Sequence, residues 1–259
     1  MMESILFEQT AGVAYITMNR PDKFNAFNRP MALRLQEVLD ACAADDNIRA
    51  VYLTGNGKAF CAGQDLQEVL DPDGPGMNRI LSEHYNPIVR KIQALEKPVV
   101  AAVNGVAAGA GANLALCCDI VVATASASFI QAFSKIGLIP DTGGTFFLPR
   151  LIGWQKASAL MMLGDKVDAA EAERLGMLYK VYADEQFADA SKQLAKQLAQ
   201  MPTKGLAYAK KALQWAFSHT LDEQLMNEDK LQQRAAATAD FKEGVQAFVE
   251  KRKPVFTGK

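Results

Sequence analysis

Histidine and cysteine are scarce: His84 and His219 are the two histidines in 259 residues, and Cys42, Cys61, Cys117 and Cys118 are the four cysteines. The histidines are far apart and no C-x-x-C spacing occurs, so no metal-ligand cluster is expected, and both histidines are expected on surfaces or helix faces. Cys117 and Cys118 are neighbours that are hard to bridge, which predicts buried free thiols of the kind a reducing cytosol maintains. Charge of either sign is also missing in excess. With 28 basic and 29 acidic residues the net charge is −1, which gives no general pull toward nucleic acid or an anionic membrane. No apolar run is long enough for a membrane span, since Val99–Val103 and Val106–Cys118 are interrupted by Asn104, several glycines and Asn113. The opening Met1-Met2-Glu3-Ser4-Ile5-Leu6 lacks a basic segment followed by an apolar one, so no secretory leader is expected. These deficits favour a cytoplasmic protein acting on a small molecule.

What the chain does have is apolar content, 49% of its residues, enough for one large domain or a domain with an appendage. Val13–Met18 and Ala50–Thr54 are β-branched and aromatic runs ended by turn residues, and they read as strands. Between them Asn28-Arg29-Pro30 offers an N-cap and an early-helix proline, followed by Met31, Leu33, Leu35, Val38 and Leu39 at helical spacing. The alternation continues with a helix near 77–95, strand 99–103, a helix near 110–118, and strands 120–124 and 128–130. Mixed α/β is the expected class, in a layered or spiral arrangement of sheets. Helices are expected at 169–175, 185–201 and 205–217, and one or two more across 221–251. Pro202 suggests a boundary, dividing a core at 1–200 from a helical region at 201–259.

Familiar nucleotide motifs fail on spacing. Gly105, Gly109 and Gly111 fall as G-x-x-x-G-x-G, the wrong order for a dinucleotide fingerprint. Gly57-Lys58 fails as a phosphate loop, because Tyr52 stands where the first glycine belongs and Ala59 where Ser or Thr belongs. Three features remain. The Gly/Ala-rich turn at 104–111 can expose backbone N–H groups to a developing anion. A lone carboxylate, Asp141, lies between an apolar run and Gly143-Gly144, where partial desolvation would raise its pKa and suit it to proton transfer. A competing reading makes Asp141 an ordinary turn residue capping the segment that follows. Gly55–Leu66 is a second strand-to-loop segment able to present free amides.

The strings GKAFCAGQDL at 57–66, VNGVAAGAG at 103–111 and LIPDTGG at 138–144 resemble the signatures of the crotonase (enoyl-CoA hydratase/isomerase) superfamily. The resemblance runs from near residue 5 to Lys259. It implies a crotonase-like α/β spiral of ββα units with a C-terminal helical trimerisation region. It also implies a homotrimer or a dimer of trimers, with CoA as part of the substrate and no separate cofactor. By motif position the thioester oxyanion would be held by the N–H groups of Gln64 and Ala110, with Asp141 as the acid/base group. Ala62, Asp65, Leu66, Gly109, Asn113 and Phe133 would contact substrate, and Lys23, Lys253, Phe256 and Lys259 are further candidates for CoA.

Departures from the family pattern narrow the reaction. Family hydratases carry two water-activating glutamates at the positions held here by Asn113 and Phe133, neither of which can act as a base. Isomerisation of acyl-CoA thioesters is therefore expected, with double-bond shifts or the opening of a ring epoxide as the chemistry of the similar branch. That branch serves phenylacetate degradation, so association with other enzymes of that route is a further expectation. Nucleophilic displacement by Asp141, as in the family's dehalogenases, is disfavoured because Asn86 replaces their histidine. Hydration, or a silent acyl-CoA-binding scaffold, are the alternatives.

Overall fold

The computed structural model describes residues 3–259. Ten strands build two sheets: β1 (Ile5–Thr10), β2 (Val13–Met18), β3 (Ala50–Gly55), β4 (Ala59–Cys61), β5 (Val99–Val103), β6 (Val106–Ala108), β7 (Ile120–Thr124), β8 (Ser128–Ile130), β9 (Lys166–Asp168) and β10 (Lys180–Tyr182). The larger sheet runs β1-β2-β3-β5-β7-β10 and the smaller β4-β6-β8-β9. Three times in succession the chain lays one strand in the larger sheet and the next in the smaller: β3 then β4, β5 then β6, β7 then β8. Pairing between successive turns is parallel in both sheets. The result is a spiral in which each turn stacks on the one before. Asn104, in the bend between β5 and β6, stitches two turns together. Its Oδ1 accepts from the Gly55 N–H at 3.0 Å and its Nδ2 donates to the Gly57 carbonyl at 3.0 Å.

Period-two alternation divides the larger sheet between two cores. Val51, Leu53, Val99, Ala101, Val103 and Val121 face the main core, while Ala50, Tyr52, Val100, Ala102 and Val122 face the opposite side, under Phe187, Ala195 and Ala199 of the helix Asp184–Ala199. Burying each such valine or leucine contributes about 1.5–3 kcal/mol. In this second layer the Tyr52 hydroxyl lies 2.9 Å from Ser191 Oγ, whereas the Tyr15 hydroxyl beside it is buried with no partner among the described residues.

The helix Arg29–Ala44 begins as the sequence predicts, with Asn28 Oδ1 accepting from the Met31 N–H. It ends on a buried lysine: Lys97 Nζ donates to the Cys42 carbonyl at 2.5 Å and the Asp45 carbonyl at 2.8 Å, capping its last turn. The helical stretch expected near 77–95 spans Gly76–Ala94 but is not uniform. Its middle, Ile80–Tyr85, has π geometry, followed by Asn86–Ala94. Pro87 supplies the reason, because it has no N–H for the Glu83 carbonyl one turn earlier. Gln36 Nε2 donates to that carbonyl instead, at 2.7 Å.

After β8 the strand content falls away. The stretch 221–251 resolves into two helices, Leu221–Ala236 and Ala239–Val249, each with a threonine cap, Thr220 and Thr238. Pro202 separates the helix ending at Ala199 from Thr203–Trp215. Bonds nonetheless run across this point. Arg49 donates to the Met201 and Phe256 carbonyls and to Thr203 Oγ1, and Lys210 pairs with Asp119 at 2.9 Å. Among the described residues no helix is long and apolar enough to cross a membrane.

Candidate active site

The turn after β4 is fixed by one residue of extended backbone. Phe27 donates its N–H to the Gly63 carbonyl at 2.7 Å and accepts at its own carbonyl from the Asp65 N–H at 2.8 Å. Both bonds flank Gln64, and in extended chain successive amides point in opposite directions. The Gln64 N–H therefore turns away from Phe27, and it has no acceptor among the described residues. Gly63 makes this turn possible. Its φ is +92°, and a Cβ there would stand 3.0 Å from the Ala108 carbonyl oxygen and 3.3 Å from the Ala110 nitrogen. The two Gly/Ala turns thus touch at Gly63.

Ala110 opens the helix Ala110–Leu116, so its N–H lacks an intrahelical acceptor. The preceding Gly109 (φ 53°, ψ −126°) sits in a region closed to other residues and offers no side chain to cap that N–H. Phe133 lies against Gly109 from the other side, its Cζ 3.7 Å from where a Cβ would be. Behind the turn, Cys61 is fully buried, its thiol pushed up to about 12 by burial, and its Sγ accepts from the Gly63 N–H at 3.4 Å.

Asp141 lines the same cavity as Gln64 and Ala110, on the bend between β8 and the helix Gly144–Ile152. Burial raises its carboxyl above the usual aspartate range, against the lowering effect of the Thr142 hydroxyl, which donates to Oδ1 at 2.8 Å. Thr142 is itself buried in the left-handed region at φ +53°, a conformation that strains a β-branched residue. The Asp141 backbone is held separately: its carbonyl accepts from Asn113 Nδ2 at 2.9 Å and from the Gly144 N–H at 2.8 Å. The carboxylate does not cap the next helix, whose N-cap is Gly143.

Seven of the nine residues singled out from sequence line one cavity of about 520 Å³: Ala62, Gln64, Leu66, Gly109, Ala110, Phe133 and Asp141. Two do not. Asp65 points the other way, pairing with Arg20 at 2.9 Å and accepting from the Gln67 N–H, so it pins the turn and caps the helix Leu66–Leu70. Asn113 is wholly buried behind Asp141, its Oδ1 taken by Gln131 Nε2 at 2.8 Å. His84, expected on a surface or helix face, is also fully buried, with Nε2 3.2 Å from the Arg29 guanidinium. The sequence reading missed the apolar rim, Val69, Leu70, Met77, Ile80, Ile136 and Leu138. The i, i+3, i+4 spacing of Leu66, Val69 and Leu70 carried that signal. The interior is thus apolar, with one carboxylate and two unpaired N–H groups, a setting that stabilises an oxyanion next to a proton-transfer group.

The profile of the family described as Enoyl-CoA hydratase/isomerase matches residues 8–259. The chain is 50% identical to the 1,2-epoxyphenylacetyl-CoA isomerase of Escherichia coli K12, over the full length of both. It is 43% identical to a "Probable enoyl-CoA hydratase" of Rhodobacter capsulatus, covering 99% of this chain and 98% of the other. Among solved structures, an enoyl-CoA hydratase from Bacillus anthracis superposes with a TM-score of 0.94 at 32% identity, covering 99% of this chain and all of that one.

Proposed function

Because the chain belongs to the enoyl-CoA hydratase/isomerase family, with the crotonase fold, we propose that it is an acyl-CoA isomerase. Its substrate is a ring-epoxide thioester of the 1,2-epoxyphenylacetyl-CoA kind, an enoyl-CoA whose double bond it shifts, or both. One observation carries the reading: a single carboxylate, Asp141, raised by burial, shares an apolar cavity with two N–H groups that have no acceptor among the described residues. The N–H groups of Gln64 and Ala110 receive the thioester oxygen. Asp141 takes a proton from the carbon next to that carbonyl, the negative charge moves onto the oxygen, and the proton returns to another carbon of the same substrate. Each N–H that strengthens its bond to the developing oxyanion is worth about 2.7–4 kcal/mol of barrier. CoA enters as the substrate's handle rather than as a cofactor.

Phe133 favours isomerisation over hydration. It is 6% exposed and packs on Gly109 beside the amides, so it occupies with apolar surface the side where a nucleophilic water would be held. Asn113 has both ends of its amide engaged. The test is incubation with a panel of 3-enoyl-CoA thioesters and epoxyphenylacetyl-CoA, with products followed by mass and ultraviolet spectrum. Conversion without mass change supports the reading. A gain of one water would establish the hydratase instead, and no turnover of any thioester, with acyl-CoA binding intact, would leave a scaffold.

The helical end and its neighbours expose Trp154, Leu213, Phe217 and Phe248, apolar surface that supports burial between copies in a trimer or a dimer of trimers. A cytoplasmic location, and association with other phenylacetate-degrading enzymes, belong to the same reading.

A further inference from the structure

Glu68, on the short helix at the cavity rim, makes an unusual pair of bonds. Its Oε1 accepts from the backbone N–H of Arg29 at 2.7 Å, and its Oε2 accepts from Gln64 Nε2 at 2.8 Å. Among the described residues no lysine or arginine side chain pairs with this carboxylate. Its partner Arg29 is instead the first residue of a 16-residue helix, whose free N–H groups and dipole favour an anion. Gln64 Oε1 is buried with no partner, so the amide is held by Nε2 alone. The two donors converge on opposite oxygens, and only a carboxylate offers an acceptor on each arm.

We infer that Glu68 is a positioning residue that clamps Gln64 against the start of the Arg29–Ala44 helix and thereby aims the Gln64 N–H at the substrate oxygen. Phe27 fixes the flanks of Gln64 on one side and Glu68 fixes its side chain on the other, so the peptide between them has no freedom to turn. The clamp also joins the amide donor to the same rim helix that supplies Leu66, Val69 and Leu70 to the cavity. The inference rests on the assignment of Gln64 as an oxyanion donor.

The experiment reads that hydrogen bond directly. Cinnamoyl-CoA, whose conjugated thioester absorbs at longer wavelength when its carbonyl is polarised, is titrated into the wild-type protein and into Glu68→Gln, Gln64→Ala and the double variant. Glu68→Gln keeps the volume but sets an NH₂ against one of two donors. It should lose most of the red shift and about tenfold in kcat, with cinnamoyl-CoA affinity and KM within about threefold, as expected for a misaimed donor. Gln64→Ala should do the same, and the double variant should be no worse than either single one, because both break one clamp. An intact red shift in Glu68→Gln overturns the inference. Losses that multiply in the double variant, or that track melting temperature alone, assign Glu68 to capping the Arg29–Ala44 helix and overturn it too. If Glu68→Gln does not fold, Gln64→Ala decides by itself, an intact shift there being contrary. No red shift in the wild type removes the oxyanion assignment and this inference with it.

Discussion

The Thr142 hydroxyl donates to Asp141 Oδ1 at 2.8 Å from a backbone held at φ +53°. Strain at one residue thus orients the carboxylate of the one before it. A β-branched residue in this region costs on the order of 1–3 kcal/mol, so the surrounding fold must over-determine the bend, and the Asn113 and Gly144 bonds to the Asp141 carbonyl do so.

Asp141→Asn removes the proposed base while keeping its shape. Turnover should fall by about 10²–10⁴, with acyl-CoA affinity retained in a direct titration. Stability should move the other way. A carboxyl raised by burial binds its proton more tightly folded than unfolded, so its contribution to stability is present at low pH and is lost as pH rises through the folded value. Melting curves should therefore show Asp141→Asn more stable than wild type at neutral pH, with the difference shrinking toward the acid side.

Thr142→Val deletes the hydrogen bond that holds the Asp141 carboxyl down while leaving burial in place. Because the ionised form is the proposed base, the acid limb of the kcat/KM profile should move to higher pH. A limb that moves to lower pH, or not at all, would count against proton removal by Asp141.

Gly63→Ala meets two penalties, a left-handed φ of +92° and a Cβ 3.3 Å from the Ala110 nitrogen. A loss of about 1–3 kcal/mol in stability is expected from strain. The fall in kcat should be larger than that strain suggests, about 10²-fold, because both amides shift together. Urea unfolding and steady-state kinetics on the same preparation separate the two.

Asn113→Ala leaves the Gln131 amide buried without its acceptor and takes one donor from the Asp141 carbonyl. Destabilisation of about 1–3 kcal/mol should follow. The kcat should fall while KM stays near the wild-type value, since Asn113 holds the bend that carries Asp141 and does not line the cavity.

The site was legible where its chemistry is local. Val13–Met18, Val99–Val103, Ile120–Thr124 and Ser128–Ile130 form strands over the residues read as strands from the sequence. The lone Asp141 and the two Gly/Ala turns, which stand far apart in sequence, line one cavity. The strands β4, β6, β9 and β10 went unread; like β8 they have only three residues each, so local sequence speaks weakly for them, and they exist because stacked turns of the spiral pair their edges. Leu66–Leu70 went unread as a helix because five residues make barely more than one turn, although Leu66, Val69 and Leu70 stand at helical spacing.

By itself, the sequence determined the reaction class. On the proposed reading, one carboxylate at the family's acid/base position, with Asn113 and Phe133 where water-activating glutamates stand in hydratases, moves a proton within the substrate rather than activating water. Only the tertiary structure decided which polar residues face that substrate and which hold the walls. Asp65 and Asn113 point into the protein, and Glu68 grips Gln64, because their partners Arg20, Gln131 and Arg29 arrive from other turns of the spiral. Local spacing sets the direction of a backbone amide within a turn. The side-chain pairings that lock it depend on how turns stack, and the burial that raises Asp141 exists only once they have.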